Sequence, residues 1–214
     1  MPEMKDYIYL LDMSETDFFQ ELEQNKGVLQ QHFQYLKKLK KEKKLILAGT
    51  SLDNFYELII FKENNEKNAE KIMNKDPFVK ENILPGTLCD FRASLMTTDE
   101  IECLLGSKKT DFSRVYNSEV ITHYFLTITG RPTFINDATD EEMKIMGDHY
   151  QFLKKNFDEK KLILAGPILA EGKFGVAILS VGNLKEAEKI MQKDPSVRAK
   201  IMEPGLHPFQ LLLL

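Results

Sequence analysis

An eight-residue string that occurs twice constrains this chain more than any other feature. Glu42-Lys43-Lys44-Leu45-Ile46-Leu47-Ala48-Gly49 returns unchanged as Glu159-Lys160-Lys161-Leu162-Ile163-Leu164-Ala165-Gly166. Further on, Ala69-Glu70-Lys71-Ile72-Met73, then Lys75 and Asp76-Pro77, returns as Ala187-Glu188-Lys189-Ile190-Met191, then Lys193 and Asp194-Pro195. Pro85-Gly86 answers Pro204-Gly205, and the offset drifts only from 117 to 119 residues. Repetition of ordered words at a fixed spacing means one structural unit used twice. The expected organisation is a first domain over residues 1–95, a linker over 96–118 and a second domain over 119–214.

Each half reads as the same string of elements. A strand rich in aromatic and β-branched residues opens it, Tyr7–Leu11 or Ile121–Ile128. A helix follows. In the second half Thr139-x-x-Glu142 has the form of a capping box, and the helix is expected to reach about Phe157. In the first half Gly27 delays or interrupts the helix, which then runs through about Lys41. A short apolar strand, Leu45–Ala48 or Leu162–Ala165, ends at a glycine. A hairpin through Asp53-Asn54 or Glu171-Gly172 leads to a third strand, Tyr56–Phe61 or Phe174–Ser180. Asn65 and Asn183 are N-cap candidates for a second helix. That helix stops at Asp-Pro, because the residue before proline is pushed out of helical geometry. A last strand follows each Pro-Gly, and Leu211–Leu214 reads as the end of a buried one.

The order βαββαβ is the ferredoxin-like split βαβ arrangement, an α+β fold with both helices on one face of a four-stranded antiparallel sheet. The other face is too apolar to stay bare. Packing the two halves sheet to sheet as an intrachain pseudo-dimer would bury both. A higher homo-oligomer is left open. The linker carries the polar run Ser107-Lys108-Lys109-Thr110-Asp111, and Asp99–Leu105 is compatible with a short helix.

Charge and composition remove several classes of function. A net charge of −4 lacks the basic footprint of a nucleic-acid binder. The basic run Lys37–Lys41 suits the end of a helix, where cations complement the dipole. No apolar stretch is long enough for a membrane span, and Met1–Asp6 does not have the profile of a secretory leader. Cys89 and Cys103 form no paired motif, so no disulfide framework is expected. A cytoplasmic location follows as the expectation.

Two residues in each half could carry chemistry. His32 lies among Leu29, Phe33 and Leu36, and His149 among Met146, Tyr150 and Leu153, on the helix stripe that faces the sheet. Asp76 and Asp194 each close the second helix just before proline. A carboxylate there sits at the negative end of the helix dipole, which is unfavourable and asks for a reason. Both helices lie on one face of the sheet, so His32 can meet Asp76 and His149 can meet Asp194. A carboxylate on one imidazole nitrogen sets the tautomer and leaves the other nitrogen as a general base or acid. His123 and His207 have no counterpart in the other half and read as structural. No zinc spacing, phosphate-binding glycine loop, dinucleotide fingerprint or nucleophile elbow is present, so neither a metal nor a cofactor is expected.

These words resemble the YCII-related domain. The features are His32, Tyr35, Leu36 and Asp76-Pro77-Phe78 in the first copy. In the second they are His149, Phe152, Leu153, Ala165-Gly166-Pro167 and Asp194-Pro195. The resemblance implies a ferredoxin-like domain of the dimeric α/β-barrel type, with an active site on His32 and Asp76 and another on His149 and Asp194. Relatives on this fold include lactone isomerases, heme-free monooxygenases and a dehydrochlorinase. The expected activity is therefore proton transfer on a small cyclic or unsaturated metabolite, of lyase or isomerase kind. The alternatives are a non-catalytic module that binds a small molecule through the same pair, and a purely structural protein. Two departures from the pattern, Thr50 in place of proline and Ser196 in place of an aromatic, imply reshaped pockets, so that the two sites differ in ligand or one is silent.

Overall fold

In a computed structural model, the described residues are all except 1–2, 15–17, 26, 102, 107–114, 116–122, 171 and 173. The elements run β1 (Lys5–Asp12), α1 (Phe18–Gln24), α2 (Val28–Lys41), β2 (Leu45–Ser51), β3 (Tyr56–Glu63), α3 (Glu66–Met73), α4 (Pro77–Lys80), β4 (Gly86–Phe91) and β5 (Leu95–Met96). They continue as β6 (His123–Thr129), α5 (Phe134–Asp137), α6 (Asp140–Asp158), β7 (Leu162–Pro167), β8 (Gly175–Ser180), α7 (Leu184–Lys193), α8 (Pro195–Arg198) and β9 (Glu203–Leu213).

Two compact units result. The first comprises Met1–Phe91, Glu100–Glu119 and Gln210–Leu214; the second comprises Arg92–Asp99 and Val120–Phe209. Each is thus completed by a short piece of chain that lies beyond its own repeat. In the first unit the strand order is β4-β1-β3-β2, with antiparallel partners throughout. In the second it is β9-β6-β8-β7-β5, again antiparallel. Both are the order that βαββαβ demands.

Local signals explain most boundaries. Gly27 has φ of 105°, a left-handed geometry that divides α1 from α2. The Thr139–Glu142 capping box forms in both directions at the start of α6. Asn65 accepts from the Asn68 amide, and Asn183 from the Glu186 amide, opening α3 and α7. The apolar stripe of α2 is His32, Phe33, Leu36 and Leu39, all buried. Leu211, Leu212 and Leu213 are buried, as expected for the last strand, and Leu212 and Leu213 join the first unit's core.

Three expectations are corrected. The short strand does not end at its glycine: β2 continues to Ser51 and β7 to Pro167, because β3 and β8 go on pairing with them. The segment Asp99–Leu105 gives only a single 3-10 turn, Leu104–Gly106, whose Leu105 is buried. Asp194 is the C-cap of α7, as expected, whereas Asp76 lies beyond the Asn74 C-cap of α3. Each is the N-cap of the next short helix, α4 or α8, and accepts from the Phe78 or Ser196 amide. The dipole of that next helix favours the carboxylate, which at Asp194 acts against the opposing dipole of α7. The polar run 107–111 and residues Ile121 and Glu171 lie outside the described residues. Cys89 and Cys103 are buried and form no disulfide among the described residues.

Candidate active site

The two His–Asp pairs occupy equivalent places but have opposite surroundings. In the first unit α2 presents His32 and the α3–α4 junction presents Asp76. Nδ1 of His32 donates to Asp76 Oδ1 at 2.7 Å, and Nε2 donates to Glu57 Oε1 at 2.6 Å. A carboxylate only accepts, so a ring held by two carboxylates carries both protons. Burial disfavours that charge, yet Asp76 and Glu57 outweigh it and push the His32 pKa up from 6.5 to about 10. Asp76 is completed by the Tyr9 hydroxyl at 2.7 Å and the Phe78 amide at 2.9 Å. The ring of Phe78 stacks on His32 with centroids 4.2 Å apart. His32, Glu57, Asp76 and Tyr9 are all 0 % exposed. The cluster is a sealed, fully satisfied ion triad.

The second unit repeats the pair and opens it. Nδ1 of His149 lies 2.8 Å from Asp194 Oδ2 and 2.9 Å from Oδ1. Asp194 Oδ1 also accepts from the Ser196 amide at 2.9 Å and its hydroxyl at 2.7 Å. Burial alone would raise the Asp194 pKa, but the hydrogen bond and charge of His149, with Ser196, hold it below the usual carboxylate value. An ionised Asp194 makes Nδ1 the donor, so whenever the ring is neutral Nε2 carries the lone pair. Among the described residues every buried side-chain nitrogen or oxygen has a partner. No hydrogen bond to Nε2 accompanies those at Nδ1, so Nε2 reaches accessible surface. That surface is a cavity of about 340 Å³, lined by His149 and mostly by apolar side chains.

Strand register identifies what opened it. In the first unit Glu57 pairs with Leu11 and Thr50. In the second, Gly175 stands in the same place, paired with Ile128 and Pro167. The carboxylate that clamps His32 therefore has no equivalent beside His149. Tyr9 pairs with Ile59 in the first unit, and Leu126 with Ala177 in the second. At the position after Asp-Pro, Phe78 gives way to Ser196. Leu126 and Gly175, which stand where the first unit has Tyr9 and Glu57, both line the cavity; Ser196 does not. The amide and hydroxyl of Ser196 both hold Asp194.

Sequence reading brought His32 to Asp76 and His149 to Asp194, and it missed Glu57 and Tyr9. A signal for Glu57 existed: it shares a strand face with Ile59 and Phe61, and an acid on an apolar face needs a partner. Tyr150 was placed on the buried stripe but is 41 % exposed, because α6 turns this flank toward the cavity mouth. His123 is buried, which lowers its pKa, and the His207 ring lies 5.8 Å from that of Phe125. Among the described residues no group of three or more His, Cys, Asp or Glu is placed to hold a metal ion, and no helix is long and apolar enough to cross a membrane.

The YCII-related domain matches residues 7–87 and again residues 122–204. The chain belongs to the YCII-related family. Each matched segment of this YCII-related protein holds one His–Asp pair. No curated protein matches it. Among solved structures, a candidate monooxygenase from Fusobacterium nucleatum is 11 % identical, with a TM-score of 0.58 over 98 % of this chain and 93 % of its own. A candidate monooxygenase from Lactobacillus acidophilus is 12 % identical, with a TM-score of 0.56 over 99 % of both chains. A mutant chlorite dismutase from Candidatus Nitrospira defluvii is 9 % identical, with a TM-score of 0.55 over 96 % of this chain and 90 % of its own. Likeness at this identity shows the fold: α+β, of the dimeric α/β-barrel type expected from βαββαβ.

Proposed function

We propose that this YCII-related protein is an enzyme with one working site, in its second unit, where His149 transfers a proton on a small, largely apolar substrate. The observation that carries this reading is the accessible Nε2 on the wall of the cavity, with Nδ1 tied to Asp194. Asp194 holds the ring in one tautomer and stabilises the imidazolium that forms when Nε2 takes a proton; Ser196 holds Asp194. The ring can then return the proton to a different atom, which gives isomerisation, or a leaving group can depart, which gives elimination. A positioned base of this kind contributes about 10²–10⁴-fold. The fold is shared with structures named for monooxygenase and chlorite dismutase activities, which fits small-molecule chemistry in this scaffold. His32 and Asp76, sealed and satisfied at both ring nitrogens, serve the fold instead.

Proton abstraction leaves a trace without a known product. The full chain, incubated in D2O with a panel of lactones and cyclic enones, should incorporate deuterium at an acidic C–H of one of them, read by mass spectrometry. His149→Asn should remove that exchange while the melting temperature stays near that of the wild type. Exchange that persists in His149→Asn assigns the base elsewhere. A compound that binds at the cavity yet never exchanges points to the binding module instead.

A further inference from the structure

Two of the cavity's lining residues carry charge and both are arginines, against a chain whose net charge is −4. Among the described lining residues there is no acid. The two arginines are in different states. The Arg131 guanidinium is committed: Nη1 donates to Glu142 Oε1 at 2.5 Å, and Nη2 donates to Asp137 Oδ1 at 2.7 Å. It also lies 5.2 Å over the Phe134 ring. Arg131 therefore braces α5 against the start of α6.

Arg92 has no such commitment. Its backbone is fixed, since its amide donates to the Pro167 carbonyl at 3.3 Å and the Ser94 amide donates to the Ala165 carbonyl at 2.9 Å. Its side chain is exposed, lines the cavity and makes no ion pair with the described residues. Ser94, two residues on, also lines the cavity. The rest of the wall, including Leu126, Ile128, Met146 and Ile168, is apolar. A guanidinium with five donors and no partner among the described residues, lining an apolar hollow, is suited to a carboxylate.

We propose that the cavity takes a small apolar monocarboxylate, its carboxylate on Arg92 and its hydrocarbon body against the apolar wall, with a carbon facing His149 Nε2. The inference rests on the proposed site in the second unit but not on its chemistry, because anion binding needs neither proton transfer nor turnover. Arg92 then sets specificity by charge at one end, and the wall sets it by size.

The test compares cinnamate with cinnamyl alcohol, alike in shape but not in charge, titrated into the full chain by calorimetry. Cinnamate should bind more tightly than the alcohol. Arg92→Gln should weaken cinnamate by about 10- to 100-fold, as expected for a charge-assisted pair, and leave the alcohol unchanged. Arg92→Lys should recover part of the loss. Equal affinity for both probes, no binding of either, or a cinnamate preference that survives Arg92→Gln each overturns the proposal. His149→Asn separates the two readings. If it binds cinnamate like the wild type while exchange is lost, both stand. If cinnamate binds through Arg92 but no compound ever exchanges, anion recognition stands and the proton-transfer reading falls.

Discussion

His32→Gln should destabilise the first unit by about 3–5 kcal/mol, although His32 touches no solvent. The ring is the cation between two fully buried carboxylates, Asp76 at 2.7 Å and Glu57 at 2.6 Å. Removing the cation leaves Glu57 and Asp76 facing each other in a dry interior, and breaking such a pair typically costs about 3–5 kcal/mol. In a chain of 214 residues, that corresponds to a melting temperature lower by about 10 °C. The same change made at His149 should cost much less, because its ring already borders a cavity and only one carboxylate depends on it. Nearly equal losses at the two positions would contradict the contrast between a sealed triad and an open pair.

The triad also predicts a pH dependence with a definite sign. The His32 pKa is about 10 in the fold against an ordinary 6.5, so folding takes up a proton between those values. The stability this supplies is complete below about pH 6.5 and is lost as the pH rises towards about 10. Chemical denaturation at a series of pH values should show that decline in the wild type, and His32→Gln should flatten it. Glu57→Gln keeps the shape and removes one of the two opposing charges. It should bring the His32 pKa down, which imidazole nitrogen chemical shifts would report.

Gly175→Glu should close the second site. The substitution places at Gly175 the residue that occupies the equivalent register position in the first unit. A carboxylate there can reach His149 Nε2, as Glu57 reaches His32, and its side chain would occupy the cavity. Cinnamate binding and deuterium exchange should both disappear. A Cβ at Gly175 would lie 2.9 Å from Ile128 Cγ1, and overpacking of this kind costs about 1–3 kcal/mol. Ile128→Leu, which copies Leu11 of the first unit, offers a second background in which that contact is eased. Ligand binding that survives in both variants would place the site outside this cavity.

Much of this was legible from residue order. The duplicated words, the glycine that divides α1 from α2, the Thr139–Glu142 box and the Asn65 and Asn183 caps are short-range signals, and the chain folds as they say. The meeting of His32 with Asp76 followed from both helices lying on one face of a sheet. The N-cap role of the Asp-Pro acids was missed because the helix behind them was visible in the sequence and the four-residue helix ahead was not. So short a helix has too little periodicity to announce itself, and its N-cap looks like the end of its predecessor.

Repetition and hydrophobic period are therefore sufficient for the fold class and for placing a histidine beside an aspartate twice. They were silent on which pair is sealed and which is open. That difference is made by Glu57 against Gly175 and Tyr9 against Leu126, residues brought together from different strands. A local pattern records what each residue prefers, but an imidazole becomes a buried cation or an available base according to what packs against its far nitrogen. Those neighbours come from distant parts of the chain, so the distinction exists only once the sheet has formed.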